Sequence, residues 1–219
     1  MDVKLNEIDR RVLGVLMEKE MSQPDYYPMT LNAVVAACNQ KQNRDPVMSL
    51  DEVAIEAALG SLQEMGLLTA LFPAQGGRTK RHRHEVEKVF GWQKAERAVM
   101  AELLLRGPQT VGELRTRCQR FVRFADLEVV SQVLGQLNRR DPPMAQTLPR
   151  EPGRTAIRYQ HLLDSEDHSP VSSAPATQAT IKPEVAPAID PLATLQSEIS
   201  DLRRELDDVQ QRLSALESQ

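Results

Sequence analysis

The stretch Asn39–Leu50, NQKQNRDPVMSL, lies between two segments of helical periodicity and decides how the chain is interpreted. It is rich in amides, and Asn43-Arg44-Asp45-Pro46 at its centre has the composition of a tight turn. Asn and Asp side chains bond to nearby backbone groups, and proline restricts the residue before it. We therefore interpret the stretch as the elaborated turn of a helix-turn-helix.

The flanking pattern predicts three helices. Helical spacing of apolar residues predicts a helix over Glu7–Glu20, and Thr30 is a plausible N-cap for a second helix over Leu31–Cys38. A third helix is expected from a cap at Ser49 or Asp51 to Met65, where Gly66 ends it. Two short strands, in Leu67–Phe72 and in residues 78–90, then form a hairpin around a glycine loop. Three helices followed by a hairpin are typical of a winged helix.

The same order recurs in the second half of the chain. Thr110-Val111-x-x-Leu114-x-x-x-Cys118 repeats the spacing of Thr30-Leu31-x-x-Val34-x-x-x-Cys38, and a second hairpin follows in residues 145–148 and 156–163. From the cysteine to the Leu-Gly-x-Leu element there are 21 residues in the first copy and 16 in the second. The surplus of five residues falls in Asn39–Leu50, which is longer than the 3–4 residues of an ordinary helix-turn-helix turn.

The segment after the second copy changes composition. Residues 164–189 are rich in Ser, Pro, Ala and Thr, which predicts a disordered linker. In residues 190–219 apolar side chains alternate at spacings of three and four, which predicts a coiled-coil helix that dimerises. The alternative is a helix that folds back on the body. The predicted dimer contacts are Leu195, Ile199, Leu202, Leu206, Val209 and Leu213.

The predicted fold class is therefore mainly α with small β-hairpins (α+β). We expect one winged helix in residues 1–90, a second in 91–163, a linker in 164–189 and a coiled-coil helix in 190–219. No apolar run is long enough to cross a membrane, and the N-terminus lacks the layout of a signal peptide. Two cysteines do not make a disulfide framework. These features predict a cytoplasmic protein.

Charge is distributed unevenly along the chain. Residues 1–163 contain 23 Lys and Arg against 20 Asp and Glu, whereas residues 164–219 contain 4 against 11. The predicted winged helices are thus mildly basic, which permits phosphate contacts without requiring them. The third helix of the first copy contains four carboxylates and no Lys or Arg, which argues against its entering a phosphate-lined groove.

Cations outside the third helices are the candidate contacts to nucleic acid. They lie in the polar turn, in the first wing and in the second helix of the second copy: Lys41, Asn43, Arg44, Arg78, Lys80, Arg81, Arg83, Arg115 and Arg117. The alternative for the wing is a solvated charged hairpin. In the turn, Asn43 and Asp45 could instead cap the backbone, and Pro46 could fix the entry to the third helix, whereas Lys41 and Arg44 do not help to make a turn.

Catalytic, cofactor and metal sites are not expected. Cys38 and Cys118 fall on inward faces and suit core packing. The two histidines of Arg81-His82-Arg83-His84 stand among cations and do not supply four zinc ligands. No nucleophile–base pattern or phosphate loop occurs, so an enzyme is not predicted.

Three motifs carry a resemblance to a known family. Residues 37–48 (ACNQKQNRDPVM), the segment 103–115 (LLLRGPQTVGELR) and the segment 150–154 (REPGR) are similar to the YceH-like family of uncharacterised bacterial proteins. The resemblance covers residues 5–163 and implies a tandem winged-helix fold in the bacterial cytoplasm. It supplies no activity, ligand or catalytic residue.

Two functions follow as hypotheses. The first is a dimeric regulatory protein that binds double-stranded DNA through its basic wings, because winged helices commonly do so. The second is a protein-interaction module of the chromosome-segregation type that binds no DNA directly, which the acidic third helix and the coiled coil favour.

Overall fold

The computed structural model describes residues 3–72, 79–150 and 156–165, and all of them belong to one compact unit, Met1–Pro170. The predictions for residues 166–219, including the coiled coil and most of the linker, lie outside the described residues. Within them the chain is mixed α/β, with seven α-helices and two small antiparallel sheets.

The first half begins with helix α1 (Glu7–Ser22), which Asn6 caps by accepting hydrogen bonds from the Ile8 and Asp9 amides. A 3-10 turn, Pro24–Tyr26, interrupts the chain where the prolines predict a break. Strand β1 (Met29–Thr30) precedes helix α2 (Leu31–Cys38), and helix α3 (Glu52–Glu64) follows the polar turn. Strands β2 (Leu68–Leu71) and β3 (Arg81–His84) complete a sheet of order β1-β3-β2.

Three helix-end signals predicted from the sequence are confirmed. The Thr30 hydroxyl accepts a hydrogen bond from the Ala33 amide at 3.4 Å, and Asp51 caps α3 by accepting from the Ala54 amide at 2.8 Å. Gly66 lies beyond α3 with φ +73°, a conformation that favours glycine.

One prediction in this half is wrong. The second strand of the hairpin ends at His84, and residues Val86–Phe90 form helix α4 instead of continuing it. Val86 and Phe90 are the buried residues of this segment, and their spacing of four places both on one face of a helix. In a strand, residues four apart also lie on one face, so the spacing of Val86 and Phe90 does not distinguish a helix from a strand.

The second half repeats the order of helices and strands of the first half, without the 3-10 turn and α4. Helix α5 (Lys94–Arg106), strand β4 (Gln109–Thr110) and helix α6 (Val111–Cys118) are followed by helix α7 (Leu127–Asn138) and strands β5 (Ala145–Thr147) and β6 (Arg158–His161). The sheet order β4-β6-β5 equals β1-β3-β2, and Thr110 pairs with Arg158 as Thr30 pairs with Arg81. The internal repeat predicted from the sequence is therefore present in the order and register of the elements. Strands β1 and β4, two residues each, escaped prediction because they are too short to show a period.

Helices α1 and α5 form the seam between the halves. Gly14 of α1 lies against Leu104 and Leu105 of α5, while Glu18 and Glu102 share the guanidinium of Arg120. The two helices therefore run in opposite directions where they touch. The chain before α1 joins the same seam, since the Leu5 amide donates to the Leu163 carbonyl at 2.7 Å.

Candidate nucleic-acid interface

The polar turn is closed by its first residue. The Asn39 side chain donates to the Leu50 carbonyl at 2.8 Å and accepts from the Leu50 amide at 2.7 Å. One side chain thus satisfies both backbone groups of a residue eleven positions away, which holds the ends of the turn together.

Arg44 is buried, and the prediction that it contacts nucleic acid is not compatible with this position. Its side chain is 0% exposed, and it pairs with the equally buried Glu18 at 2.5 Å. The same guanidinium donates to the Ala37 carbonyl at 3.0 Å, near the end of α2, and to the Asn43 carbonyl at 2.8 Å. Arginine near a helix C-terminus bonds the carbonyls that the helix leaves open. Arg44 therefore fastens the turn to α1 and α2.

The next residues of the turn contact the second half of the chain. Asn43 has a φ of 60°, and its side-chain carbonyl accepts a hydrogen bond from Arg106 at the end of α5. The Asp45 amide donates to the Leu105 carbonyl at 2.9 Å. The turn that is longer in the first copy is thus the one that reaches across to α5, so Asn43 has a structural partner.

A chain of ion pairs continues from the turn along the seam. Arg120, after α6, contacts Glu18 at 2.9 Å and Glu102 at 2.6 Å, and Arg106 lies 3.5 Å from Glu102. Both carboxylates are almost fully buried, with side-chain exposures of 3% and 0%. Three guanidiniums (Arg44, Arg106 and Arg120) and two carboxylates therefore form one network, which links α1, the turn, α5 and the end of α6.

Strand β3 presents its predicted cations to solvent. Arg81 and Arg83 are exposed and alternate with the buried His82 and His84, and Lys80 just before them is also exposed. Arg81 donates to the Pro28 carbonyl at 2.8 Å, and Arg83 pairs with Glu85 at 2.9 Å. Arg78 lies outside the described residues.

The histidine at the end of β3 is held by α1. His84 Nε2 lies 3.0 Å from a carboxylate oxygen of Glu20, and the His84 amide donates to the Tyr27 hydroxyl at 2.7 Å. The hydrogen bond to His84 holds the pKa of Glu20 below its usual range, with Arg97 contributing from 3.7 Å. These contacts fix β3 against the helices, so that its exposed face has a defined orientation.

The remaining predicted residues differ in exposure and in the contacts that they form within the chain. Lys41 is exposed on the surface of the turn. Arg115 donates to the Ala125 carbonyl at 2.9 Å, and Arg117 contacts Gln109 at 2.6 Å and Glu113 at 3.2 Å. Arg115 and Arg117 therefore support the second helix-turn-helix locally, and both are only half-buried.

The two third helices expose different surfaces. Outward residues of α3 include Glu52, Glu56 and Glu64 together with Val53, which is 75% exposed. On α7 and its C-cap the exposed residues at helical spacing are Glu128, Gln132, Gln136 and Arg139, and Leu127 at the start of α7 is 50% exposed.

Two charged residues near the ends of α7 form contacts within the chain. Asp126 caps α7 by accepting from the Val129 amide at 2.9 Å. Arg140 donates to the Phe90 carbonyl at 2.6 Å and pairs with Glu96 at 2.8 Å. The sequence predicted no nucleic-acid contact on α7 or α3. The position of Asp126 just before α7 nevertheless indicates an N-cap.

The cysteines are packed in the core as predicted. Cys38 and Cys118 are both fully buried, and burial raises the pKa of the Cys38 thiol to about 12 and that of Cys118 further still. Among residues 3–72, 79–150 and 156–165, no three His, Cys, Asp or Glu side chains are grouped as metal ligands would be. No helix in the same residues has the length and apolarity needed to cross a bilayer.

These observations define a class of protein: a mixed α/β chain of two equivalent halves, docked by a buried ionic network, with exposed charge on β3 and exposed amides on α7. The family model described as "Protein of unknown function, DUF480" matches residues 5–154. The chain belongs to this family, which confirms the resemblance to the YceH-like proteins.

Bacterial relatives share most of the chain. The UPF0502 protein GSU0233 of Geobacter sulfurreducens is 45% identical over 202 residues, covering 92% of this chain and 91% of the relative. A UPF0502 protein of Geobacter metallireducens is 51% identical over 163 residues, covering 74% of each. The UPF0502 protein Acid345_3645 of Koribacter versatilis is 42% identical over 203 residues, covering 92% of each chain.

Proposed function

We propose that this chain is a non-enzymatic, cytoplasmic tandem winged-helix protein that binds double-stranded DNA in a regulatory role. The repeated order of helix, strand, two helices and two strands supports the winged-helix assignment. In that fold the third helix enters the major groove and the wing touches phosphate or the minor groove. In this proposal α7 is the helix that enters the major groove, and β3 belongs to the wing that contacts phosphate.

The exposed stripe of α7 carries the proposal. Gln132 and Gln136 stand one turn apart on the solvent face, and glutamine can bond bidentately to the N6 and N7 atoms of adenine. Gly135 between them lacks a side chain, and the atoms nearest to its Cβ position belong to the Arg139 guanidinium, at 3.6 Å. Beyond the single carboxylate Glu128 at its start, the stripe carries two amides and a terminal cation, which suit contact with base edges and phosphate.

The wing of the first half supplies the part of the proposed DNA binding that does not depend on base sequence. The exposed side chains of Lys80, Arg81 and Arg83 follow closely along β3 and the residue before it, and phosphate contacts by such cations release counterions. Arg81 and Arg83 have only a carbonyl and one partly exposed carboxylate as partners. Exposed pairs of this kind are weak, so exchange for a phosphate costs little.

The test is a salt titration of duplex binding by fluorescence anisotropy with the full chain. Replacing Lys80, Arg81 and Arg83 by Gln should weaken binding to all duplexes alike and lower the salt slope by about 1 for each phosphate that is no longer neutralised. Replacing Gln132 and Gln136 by Ala should reduce discrimination between A·T-rich and G·C-rich duplexes without altering the salt slope.

Gln63→Ala is the matched control, because it removes an exposed amide from α3 instead of α7. The proposal fails if the wild-type chain does not bind any duplex at low salt. If binding occurs but the α7 variant behaves like wild type, α7 does not face the bases.

A second function rests on α3. Its outward face combines Glu52, Glu56 and Glu64 with the exposed Val53, a mixture that DNA would repel and that a basic protein surface would accept. This favours a protein-interaction module. Affinity purification from the native bacterium with wild type and Val53→Asp distinguishes the two: a stoichiometric protein that only the wild type retains supports the module.

Self-association is proposed on the sequence of residues 190–219 alone. Their heptad pattern and the complementary charges beside it favour a dimer. A dimer would present two copies of α7 and β3 to one duplex.

A further inference from the structure

We propose that the first half of the chain has a binding site for a small zwitterion of the α-amino-acid type, in the cleft between the start of α2, the middle of α3 and strand β3. The cleft has a volume of about 380 Å³, within the range of sites for small ligands. It is separate from α7 and from the seam and shares only Lys80 with the proposed DNA contacts, so the proposal does not rest on DNA binding.

The cleft offers opposite charges, those of Lys80 and Glu56. Lys80 lines one side and Glu56 of α3 another, and neither forms an ion pair within the described part of the chain. The start of α2 at Leu31 and Asn32 adds the partial positive charge of a helix N-terminus beside Lys80. A carboxylate suits the side of Lys80 and α2, and an ammonium group suits Glu56.

A buried histidine supplies the second observation. His82 lines the cleft and is 4% exposed, yet its Nδ1 has no hydrogen-bond partner among the described residues. A buried polar group without a partner is costly, and a ligand that bonds to it would remove that cost. Burial, aided by Lys80, lowers the pKa of His82, so the imidazole is neutral and presents one donor and one acceptor.

The walls of the cleft limit the ligand. Leu31 and Leu59 provide apolar surface, and Gly60 leaves the α3 side open, since nothing lies within 4 Å of its Cβ position. An aliphatic side chain fits the apolar wall, whereas a nucleotide would bring several negative charges against Glu56. The favoured class is an aliphatic α-amino acid.

The second half of the molecule gives an internal comparison. Its equivalent positions follow from the paired strands and from the N-caps Asp51 and Asp126. The capping threonine is kept as Thr110, but the other five polar residues of the cleft are replaced: Asn32 by Gly112, Glu56 by Ser131, Thr79 by Ala156, Lys80 by Ile157 and His82 by Tyr159. The fold therefore does not need these polar side chains at those positions, which is what a ligand site added to one copy requires.

The test is calorimetric titration of the full chain with L-leucine, L-isoleucine, L-valine and L-methionine. The analogues L-leucinamide, which lacks the carboxylate, and 4-methylpentanoate, which lacks the ammonium group, probe each charge. At least one of the four amino acids should bind saturably at one site per chain. For leucine, each analogue should bind about tenfold more weakly or not at all, because it leaves a charged group unmatched.

Three variants locate the site. Gly60→Leu should abolish binding by filling the cleft and should keep the fold, because its side chain enters open space. Lys80→Gln and Glu56→Gln should each weaken binding about tenfold. Lys41→Gln, an exposed lysine in the polar turn, is the control and should bind like wild type.

The proposal is overturned if none of the four amino acids binds, or if Gly60→Leu binds as wild type does. Analogues that bind as tightly as leucine would likewise overturn it, because the charges of the cleft would then be unused. Duplex binding is measured independently of these titrations, so failure here and failure of the proposed function are separate results.

Discussion

Replacing Arg44 by Met tests the structural role of the polar turn. The substitution removes the charge and keeps much of the side-chain volume, so it isolates the ion pair from the packing. Arg44 is 0% exposed and is bonded to Glu18 at 2.5 Å and to the Ala37 carbonyl at 3.0 Å. If these contacts hold the turn in place, the free energy of unfolding should fall without any nucleic acid being present.

The decrease in the free energy of unfolding depends on the contacts that Glu18 keeps in the variant. Removing one partner of a buried ion pair costs about 3–5 kcal/mol, because the other charge is left in a poor environment. Glu18 keeps Arg120 at 2.9 Å, which places the decrease near the lower end, at about 3 kcal/mol. This is a large share of the roughly 5–15 kcal/mol by which domains are stable. It corresponds to a fall of about 1–3 M in the urea midpoint.

Urea unfolding followed by circular dichroism measures this decrease. Lys41→Met is the matched control, because this lysine is exposed in the same turn and should change stability by less than about 0.5 kcal/mol. The reasoning is refuted if Arg44→Met unfolds at the wild-type urea concentration. Weaker duplex binding by such a stable variant would instead restore the DNA contact predicted from the sequence.

Three further predictions concern other parts of the molecule. Gly14→Ala should destabilise the chain by about 1–3 kcal/mol, because the added Cβ would lie 2.9 Å from Leu105 Cγ. Gly60→Ala, also within a helix but with open space around it, should stabilise the chain by up to about 1 kcal/mol. Thermal melts of both variants measure these changes, and equal effects at the two sites would contradict the packing of Gly14 against α5. His161 is buried beside Asp164 and Arg10, and burial lowers its pKa from 6.5 to about 4. The unfolded chain therefore binds the extra proton first, and stability should fall as pH drops from about 6.5 to 4, by up to about 3 kcal/mol. His161→Gln should flatten that part of the pH profile of the urea midpoint, and an unchanged profile would show that His161 does not cause it. Deleting residues 190–219 should halve the solution mass measured by light scattering, and an unchanged mass would disprove dimerisation through that segment.

Most elements of the fold could be predicted from local signals. The Thr30 and Asp51 caps and the Gly66 stop each act within a few residues, so their effect can be read in the chain. The repeat was visible because equivalent residues keep the same spacing. Val86–Phe90 was misassigned because five residues do not separate a helical period from a strand period, and only its contacts in the folded chain decide between them.

The candidate site was harder to predict because charge in a sequence has no partner until the chain folds. Lys80, Arg81 and Arg83 remained exposed candidates, since an alternating strand places every second side chain outward. Arg44 and Arg140 resembled them in the sequence, but each is satisfied by a residue more than twenty positions away. Arg140 and Asp126 are both used in contacts within the chain, which leaves a different set of exposed side chains on α7 than on α3.

The polar turn has some features that its sequence predicts and others that depend on contacts in the folded chain. The sequence by itself determined that Asn39–Leu50 is a turn and that it is longer in the first copy, because amides, proline and spacing act locally. Only the tertiary structure decided that Arg44 is internal and that Asn43 and Asp45 join α5. A cation can contact DNA or a buried carboxylate with the same chemistry, and burial beside Glu18 is a property of the whole fold.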